Sequence, residues 1–248
     1  MRFPIPESLR ELTDGFLSPA ETRRVGSGLS VQASYHLARF RPELFDELGI
    51  TRPESLARSV DKRLAEFLAG RILAQFAQRA LGFAAQDVAI GADRAPVWPL
   101  GMSGSISHAR GRCACLLVPS ARLAPGIDIE AIATGQALES ILRMTVTAQE
   151  AALLRSSPDL PLAATLCFSA KEALFKALYP TVRRHFGFPS ARLSALPENG
   201  TLSLILTETL HPILPEGACF NLCFEATESH VLTWMLHRSA SPRTLGVG

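Results

Sequence analysis

Residues 59–82 read SVDKRLAEFLAGRILAQFAQRALG. Leu64, Phe67, Leu68, Ile72, Leu73, Phe76, Ala80 and Leu81 recur at the helical period, so one side of a long helix is apolar. Ser59 is placed to cap its start and Gly82 to stop its end. Working outward, short apolar or alternating runs follow at 103–108, 112–118 and 126–132, the first two divided by a turn at Gly111. A second helical pattern spans 169–180 and ends at Pro180. Strand-like runs follow it at 201–207, 219–226 and 231–237. The second half thus repeats the outline of the first, a long helix and then about three strands, which predicts an α+β protein of two similar halves. The halves are expected at 1–122 and 123–240, with a mobile tail at 241–248. Residues 1–58 read as irregular with a short strand at 28–35, and 83–100 as a loop. Residues 137–155 read as helical, with Thr147 capping 148–154, and 156–161 as a loop.

Of the 248 residues 47% are hydrophobic and 19% charged, a composition that supports a sizeable core. No run reaches the roughly 18 uninterrupted apolar residues of a membrane span, and the N-terminal stretch has no apolar signal-peptide core. A cytoplasmic protein with no membrane partner is expected. The net charge of +2 does not suggest wholesale nucleic-acid binding. The odd set Cys113, Cys115, Cys167, Cys219 and Cys223 reads as buried thiols in a reducing compartment, without zinc-finger spacing. Of 25 basic residues only three, Lys62, Lys171 and Lys176, are lysines, which hints at a chemical demand for the last two.

Four stretches carry candidate chemistry. In Gly126-Ile127-Asp128-Ile129-Glu130 the strand alternation points both carboxylates to one face, their Cβ atoms ~7 Å apart. Such a pair suits a hard divalent cation; the same alternation also describes an edge strand with one wet face. In Phe168-Ser169-Ala170-Lys171-Glu172-Ala173-Leu174-Phe175-Lys176, a carboxylate and two ammonium groups stand near a helix start that favours anions. A capping box from Ser169 to Glu172 and an ordinary i,i+4 pair account for the same residues. Gly104-Ser105-Ile106-Ser107-His108 follows Arg94-x-Pro-x-Trp-Pro and offers donors to a phosphate; His108 as a strand-end histidine bonded to backbone is the local alternative. Arg63 and Arg71 border one helix face, ~80° apart, and the small Gly70 would let a phosphate approach closely. A charged face on an amphipathic helix is the competing account.

Taken in order, these motifs make the sequence resemble the phosphopantetheinyl transferase family of the surfactin/enterobactin type along residues ~60–180. The pattern R-x-x-E-F-x-x-x-R is matched by Arg63 to Arg71, R-x-P-x-W-P by Arg94 to Pro99, and G-S-I-S-H by Gly104 to His108. G-I-D-x-E is matched by Gly126 to Glu130. F-S-x-K-E-x-x-x-K is matched by Phe168 to Lys176, with Tyr179-Pro180 after it as in the enterobactin-type branch. The resemblance implies a pseudo-twofold, usually monomeric fold, each half a helix on a small, mostly antiparallel sheet, with coenzyme A (CoA) between the halves.

The resemblance also implies roles. Asp128, Glu130 and Glu172, with the Ile129 carbonyl, would hold Mg²⁺ on the CoA pyrophosphate. Arg63, Arg71, Arg94, Ser107 and His108 would contact the adenosine 3′-phosphate or the pyrophosphate. Lys171 and Lys176 would lie along the pyrophosphate, and Glu172, Lys176 and Asp128 would be catalytic. The implied activity is that of a holo-acyl-carrier-protein synthase. A serine of an apo acyl or peptidyl carrier protein attacks the phosphorus beside pantetheine, giving holo carrier and adenosine 3′,5′-bisphosphate. Carriers of fatty-acid, polyketide, siderophore or other peptide synthesis are all open. Arg183-Arg184-His185, with Phe186 and Phe188, reads as a docking edge for an acidic carrier. Two rivals stand beside this reading: a CoA-binding module without catalysis, and a Mg²⁺-dependent phosphohydrolase that needs no carrier.

Overall fold

The computed structural model describes residues 11–239; the expected mobile tail, 241–248, lies outside them. The chain forms two compact units, Met1–Ala121 and Arg122–Gly248.

The first unit contains β1 (Glu21–Val25), β2 (Gly28–Ser34), a one-turn helix α1 (Leu44–Glu47) and the long helix α2 (Asp61–Ala80). The two-residue strands β3 (Ala89–Ile90) and β4 (Pro96–Val97) follow, then β5 (Ser103–Ala109) and β6 (Arg112–Val118). The sheet runs β1-β2-β6-β5, antiparallel throughout. The apolar stripe read from the sequence is the packed one: Leu64, Leu68 and Leu73 of α2 meet Val31 and Ala33 of β2 and Cys113, Cys115 and Leu117 of β6. Each fully buried leucine contributes about 1.5–3 kcal/mol.

Both ends of α2 have local causes. Ser59 is not the cap: that position is Val60, which has no side-chain bond to give. Gly82 does stop the helix. At φ +87° it donates to the Arg79 carbonyl while Phe83 reaches back to Gln78, both at 2.9 Å, closing a Schellman motif. The β5–β6 hairpin turns at Arg110 and Gly111, both at positive φ (42° and 83°), as a two-residue type I′ loop requires. The stretch expected to be loop, 83–100, holds β3 and β4, strands too short to show a period. Strand β1 was hidden because ETRRV is polar and exposed, with no apolar alternation to read.

The second unit contains β7 (Leu123–Ala131), α3 (Gly135–Met144), α4 (Ala148–Arg155) and α5 (Leu160–Val182), then β8 (Ala191–Leu193), β9 (Thr201–Leu206), β10 (Cys219–Ala226) and β11 (His230–Arg238). Its sheet runs β7-β11-β10-β9-β8, again antiparallel. Helix α5 packs across β7 and β11. The expected α+β class, with a helix on an antiparallel sheet in each half, is what both units show.

Helix α5 corrects the sequence reading. It begins at Leu160, not Ser169, because Asp159 caps it by accepting from the Leu162 amide at 3.0 Å and Pro161 sits in the first turn. It continues past Pro180 to Val182, where Arg183 closes it in the left-handed region at φ 56°. Ser169 therefore lies mid-helix, and neither the capping box there nor dipole help for an anion applies, since that effect fades within the first turn. Thr147 does form the expected cap of α4, a reciprocal box with Glu150. Cys113, Cys115 and Cys167 are buried as expected. Cys219 and Cys223 are exposed, because they share the outward face of β10 while Phe220 and Leu222 point inward.

Candidate functional site

In the second unit the site begins with a glycine. A Cβ on Gly126 would run into the Ala173 carbonyl oxygen, so glycine lets α5 lie directly on β7. Asp128, next along that face, is consequently 2% exposed beneath the helix. The carboxylate face is thus no wet edge. The Asp128 Oδ2 accepts from the Ser169 hydroxyl at 2.8 Å, and that hydroxyl is 2.9 Å from Thr233, the residue opposite Asp128 on β11. The Asp128 Oδ1 accepts from the Lys176 ammonium at 2.7 Å, and the same ammonium donates to the Ile127 carbonyl at 3.1 Å.

Ser169, Glu172 and Lys176 form an i, i+3, i+7 stripe on α5. Glu172 is half-buried. Burial pushes its carboxyl above the ordinary carboxylate range, the charge of Asp128 pushes the same way, and Lys176 and His185 pull against them. Glu130 is half-buried on the Asp128 face of β7. The Ile132 amide donates to Ser229 on the β11 side, whereas the Ile127 carbonyl faces Lys176. By strand alternation the Ile129 carbonyl therefore points, like that of Ile127, to the outer edge of the sheet.

These donors are hard oxygens, the class Mg²⁺ prefers, and that ion commonly takes one or two carboxylates and completes its shell from substrate and water. Asp128 and Glu172, close enough to feel each other's charge, fit that mode. Among the described residues no three His, Cys, Asp or Glu side chains are grouped as a metal cluster.

Lys171 points elsewhere. Its ammonium donates to Glu150 and to the Thr145 carbonyl, each at 2.9 Å, and the paired side chains are 2% and 1% exposed. Glu150 also accepts from the Leu193 and Thr147 amides at 2.7 and 2.8 Å. Burial alone would raise the Glu150 carboxyl, but its hydrogen bonds and the charge of Lys171 outweigh that and leave it below the usual range. The Lys171 amine, expected along a pyrophosphate, is held here in a buried pair. Glu150 was not singled out in the sequence; its spacing of three from the Thr147 cap is the local signal that marks it.

In the first unit, Arg63 and Glu66 of α2 meet His108 of β5. The Arg63 Nη1 is 3.2 Å from His108 Nε2 and 3.6 Å from the Glu66 carboxylate, and His108 Nδ1 is 3.7 Å from the same oxygen. Arg71 is separate and buried, donating to the Val88 carbonyl at 2.8 Å with its guanidinium over the Phe67 ring. Burial lowers its pKa to about 10, which leaves it charged at neutral pH. The opening offered by Gly70 is filled by Ile106, which a Cβ would meet at 2.7 Å, so the glycine serves packing and not phosphate approach. Gly104 is likewise covered, by the Trp98 ring, which seats the Arg94–Pro99 stretch on β5. Ser107 is buried on β5 and Arg94 is exposed in the β3–β4 turn at φ 66°.

Residues 52–118 match the family model described as the 4′-phosphopantetheinyl transferase N-terminal domain, and residues 124–233 match the 4′-phosphopantetheinyl transferase superfamily. The chain is 36% identical over 165 residues to enterobactin synthase component D of Salmonella typhi, covering 65% of this chain and 68% of that protein. It is 40% identical over 146 residues to enterobactin synthase component D of Escherichia coli (strain K12), covering 57% and 69%. It is 33% identical over 165 residues to 4′-phosphopantetheinyl transferase Svp of Streptomyces mobaraensis, covering 64% and 66%.

Proposed function

The chain belongs to the 4′-phosphopantetheinyl transferase superfamily, and from that premise we propose that it transfers 4′-phosphopantetheine from CoA to a serine of apo carrier proteins with the help of Mg²⁺. The observation that carries the reading is the gathering of Ser169, Glu172 and Lys176 of α5 about the buried Asp128. It lies within a stretch that matches the family model.

In this reading Asp128 and Glu172 would hold Mg²⁺, which would supply charge to neutralise oxygens of the pyrophosphate; Glu130 and the Ile129 carbonyl, not gathered with them in this structure, would have to join from β7. Lys176 stands beside Asp128 to place a further positive charge on the leaving phosphate. Glu172, its basicity raised by burial, takes the proton from the carrier serine hydroxyl, directly or through water. The serine oxygen forms its bond to the phosphorus beside pantetheine, the bond to the bridging pyrophosphate oxygen breaks, and adenosine 3′,5′-bisphosphate leaves. Ser169 and Thr233 hold Asp128 in its orientation. In the first unit Arg63, Ser107, His108 and Arg94 are the phosphate-binding set; buried Arg71 adds charge.

Arg183, Arg184 and His185 are exposed at the end of α5, and their charge suits an acidic carrier. Phe186 takes no part in that surface, since it is buried against Phe175 with ring centroids 5.0 Å apart. The enterobactin names of the relatives favour a carrier of siderophore synthesis among its substrates.

The experiment is the intact mass of an apo carrier incubated with the protein, CoA and Mg²⁺, with an EDTA control. A mass gain of one phosphopantetheine arm that vanishes with EDTA is the expected result. No gain across peptide, polyketide and fatty-acid carriers would overturn it.

A further inference from the structure

A carboxylate stands inside the first unit's proposed phosphate-binding group, where its charge should repel the ligand. Two like charges at such close quarters repel strongly outside bulk water. The arrangement around Glu66 resolves this. Gly70 lets Ile106 of β5 close against α2, and His108, two residues on, falls on the same face of the strand. The Glu66 carboxylate then lies 3.6 Å from Arg63 and 3.7 Å from His108. Tyr35 is buried just past the end of β2, and that burial, together with the nearby charge of Glu66, raises its pKa. Depth separates the signs of charge: the Glu66 side chain is 12% exposed and that of Arg63 is 49%. Negative charge forms the floor and the cationic donor the outer layer.

We propose that Glu66 is a positioning residue that holds Arg63 and His108 ready for a phosphate monoester, the 3′-phosphate of the CoA adenosine. The proposal rests on the CoA reading above. An unrestrained arginine loses much rotamer freedom when it binds, and ordering it before the ligand arrives removes that cost from binding. A monoester is the ligand class that fits, because its near-dianionic charge at neutral pH answers two adjacent donors.

Calorimetry on the full chain, with CoA, adenosine 3′,5′-bisphosphate and dephospho-CoA as probes, tests this in Glu66→Gln. That variant keeps the shape but loses the charge. The dissociation constants for the two 3′-phosphorylated probes should rise about tenfold, equivalent to 1.4 kcal/mol, and that for dephospho-CoA less than twofold. The KM for CoA should rise while kcat at saturation stays within twofold. Glu66→Asp should recover part of the loss, and Glu66→Gln should have no further effect once Arg63 and His108 are both replaced. Tighter CoA binding in Glu66→Gln would show that the carboxylate only repels, and an equal loss for dephospho-CoA would show a merely structural role; either overturns the proposal. Wild type that binds none of the three probes would overturn the CoA reading itself.

Discussion

The Lys171 ammonium lies 2.9 Å from the Glu150 carboxylate, in a pair buried on both sides. It ties α5 to the start of α4 and, through the Leu193 amide, to β8. One residue further along α5, Glu172 turns toward Asp128. Neighbouring charged residues of one motif thus serve different ends: Lys171 anchors the helix, and Glu172 belongs to the proposed chemistry.

Lys171→Met should destabilise the protein by about 3–5 kcal/mol, because it leaves Glu150 charged, buried and uncompensated. The double variant Lys171→Met with Glu150→Gln should recover a large part of that loss. Urea unfolding monitored by circular dichroism measures both, and equal stability of the single and double variants would remove the pair's assigned role.

Glu172→Gln should lower turnover at least a hundredfold, the scale of a lost acid–base group, while leaving the fold intact. Its stability effect has a definite sign. The folded state keeps this proton to higher pH than the unfolded chain does. Stability from this group is therefore full below the ordinary carboxylate range and falls as pH rises through the raised pKa. In metal-free buffer near neutrality Glu172→Gln, which cannot ionise, should melt higher than wild type. A lower Tm would contradict it.

Gly126→Ala should cost about 1–3 kcal/mol or more, since the new methyl meets the backbone of α5 and not a side chain that can swing aside. The shift moves Ser169, Glu172 and Lys176 away from Asp128, so kcat should fall alongside the denaturation midpoint. Full activity in a stably folded variant would show that the helix-to-strand distance is not critical.

Cys219 and Cys223 should react with a thiol reagent in the native protein, while Cys113, Cys115 and Cys167 should not. Burial holds the Cys113 and Cys167 thiols at about 12 and raises Cys115 as well. Two equivalents before unfolding and five after it is the expected titration.

Charge reversal at Arg183 and Arg184 should raise the KM for carrier protein more than the KM for CoA. The measurement is steady-state kinetics with each substrate varied in turn, and equal effects would remove these residues from the docking surface.

The sequence by itself determined the two long helices, six of the longer strands and the order of the motifs, because each rests on a local period: every third or fourth residue apolar in α2, every second in β7. Gly82, Gly111 and Thr147 were legible for the same reason, as a positive φ or a cap involves only near neighbours. What the local pattern misread were signals that compete locally. Ser169 and Glu172 have the spacing of a cap, but Asp159 and Pro161 are a stronger start ten residues earlier. Only the tertiary structure decided which way the charges face. Lys171 and Lys176 are five residues apart on one helix, about 140° around its axis, so one meets Glu150 and the other Asp128. Glu66 gained its place only when Gly70 brought β5 against α2. Which side of a helix meets which strand is set by packing between distant segments, and no spacing along the chain encodes that.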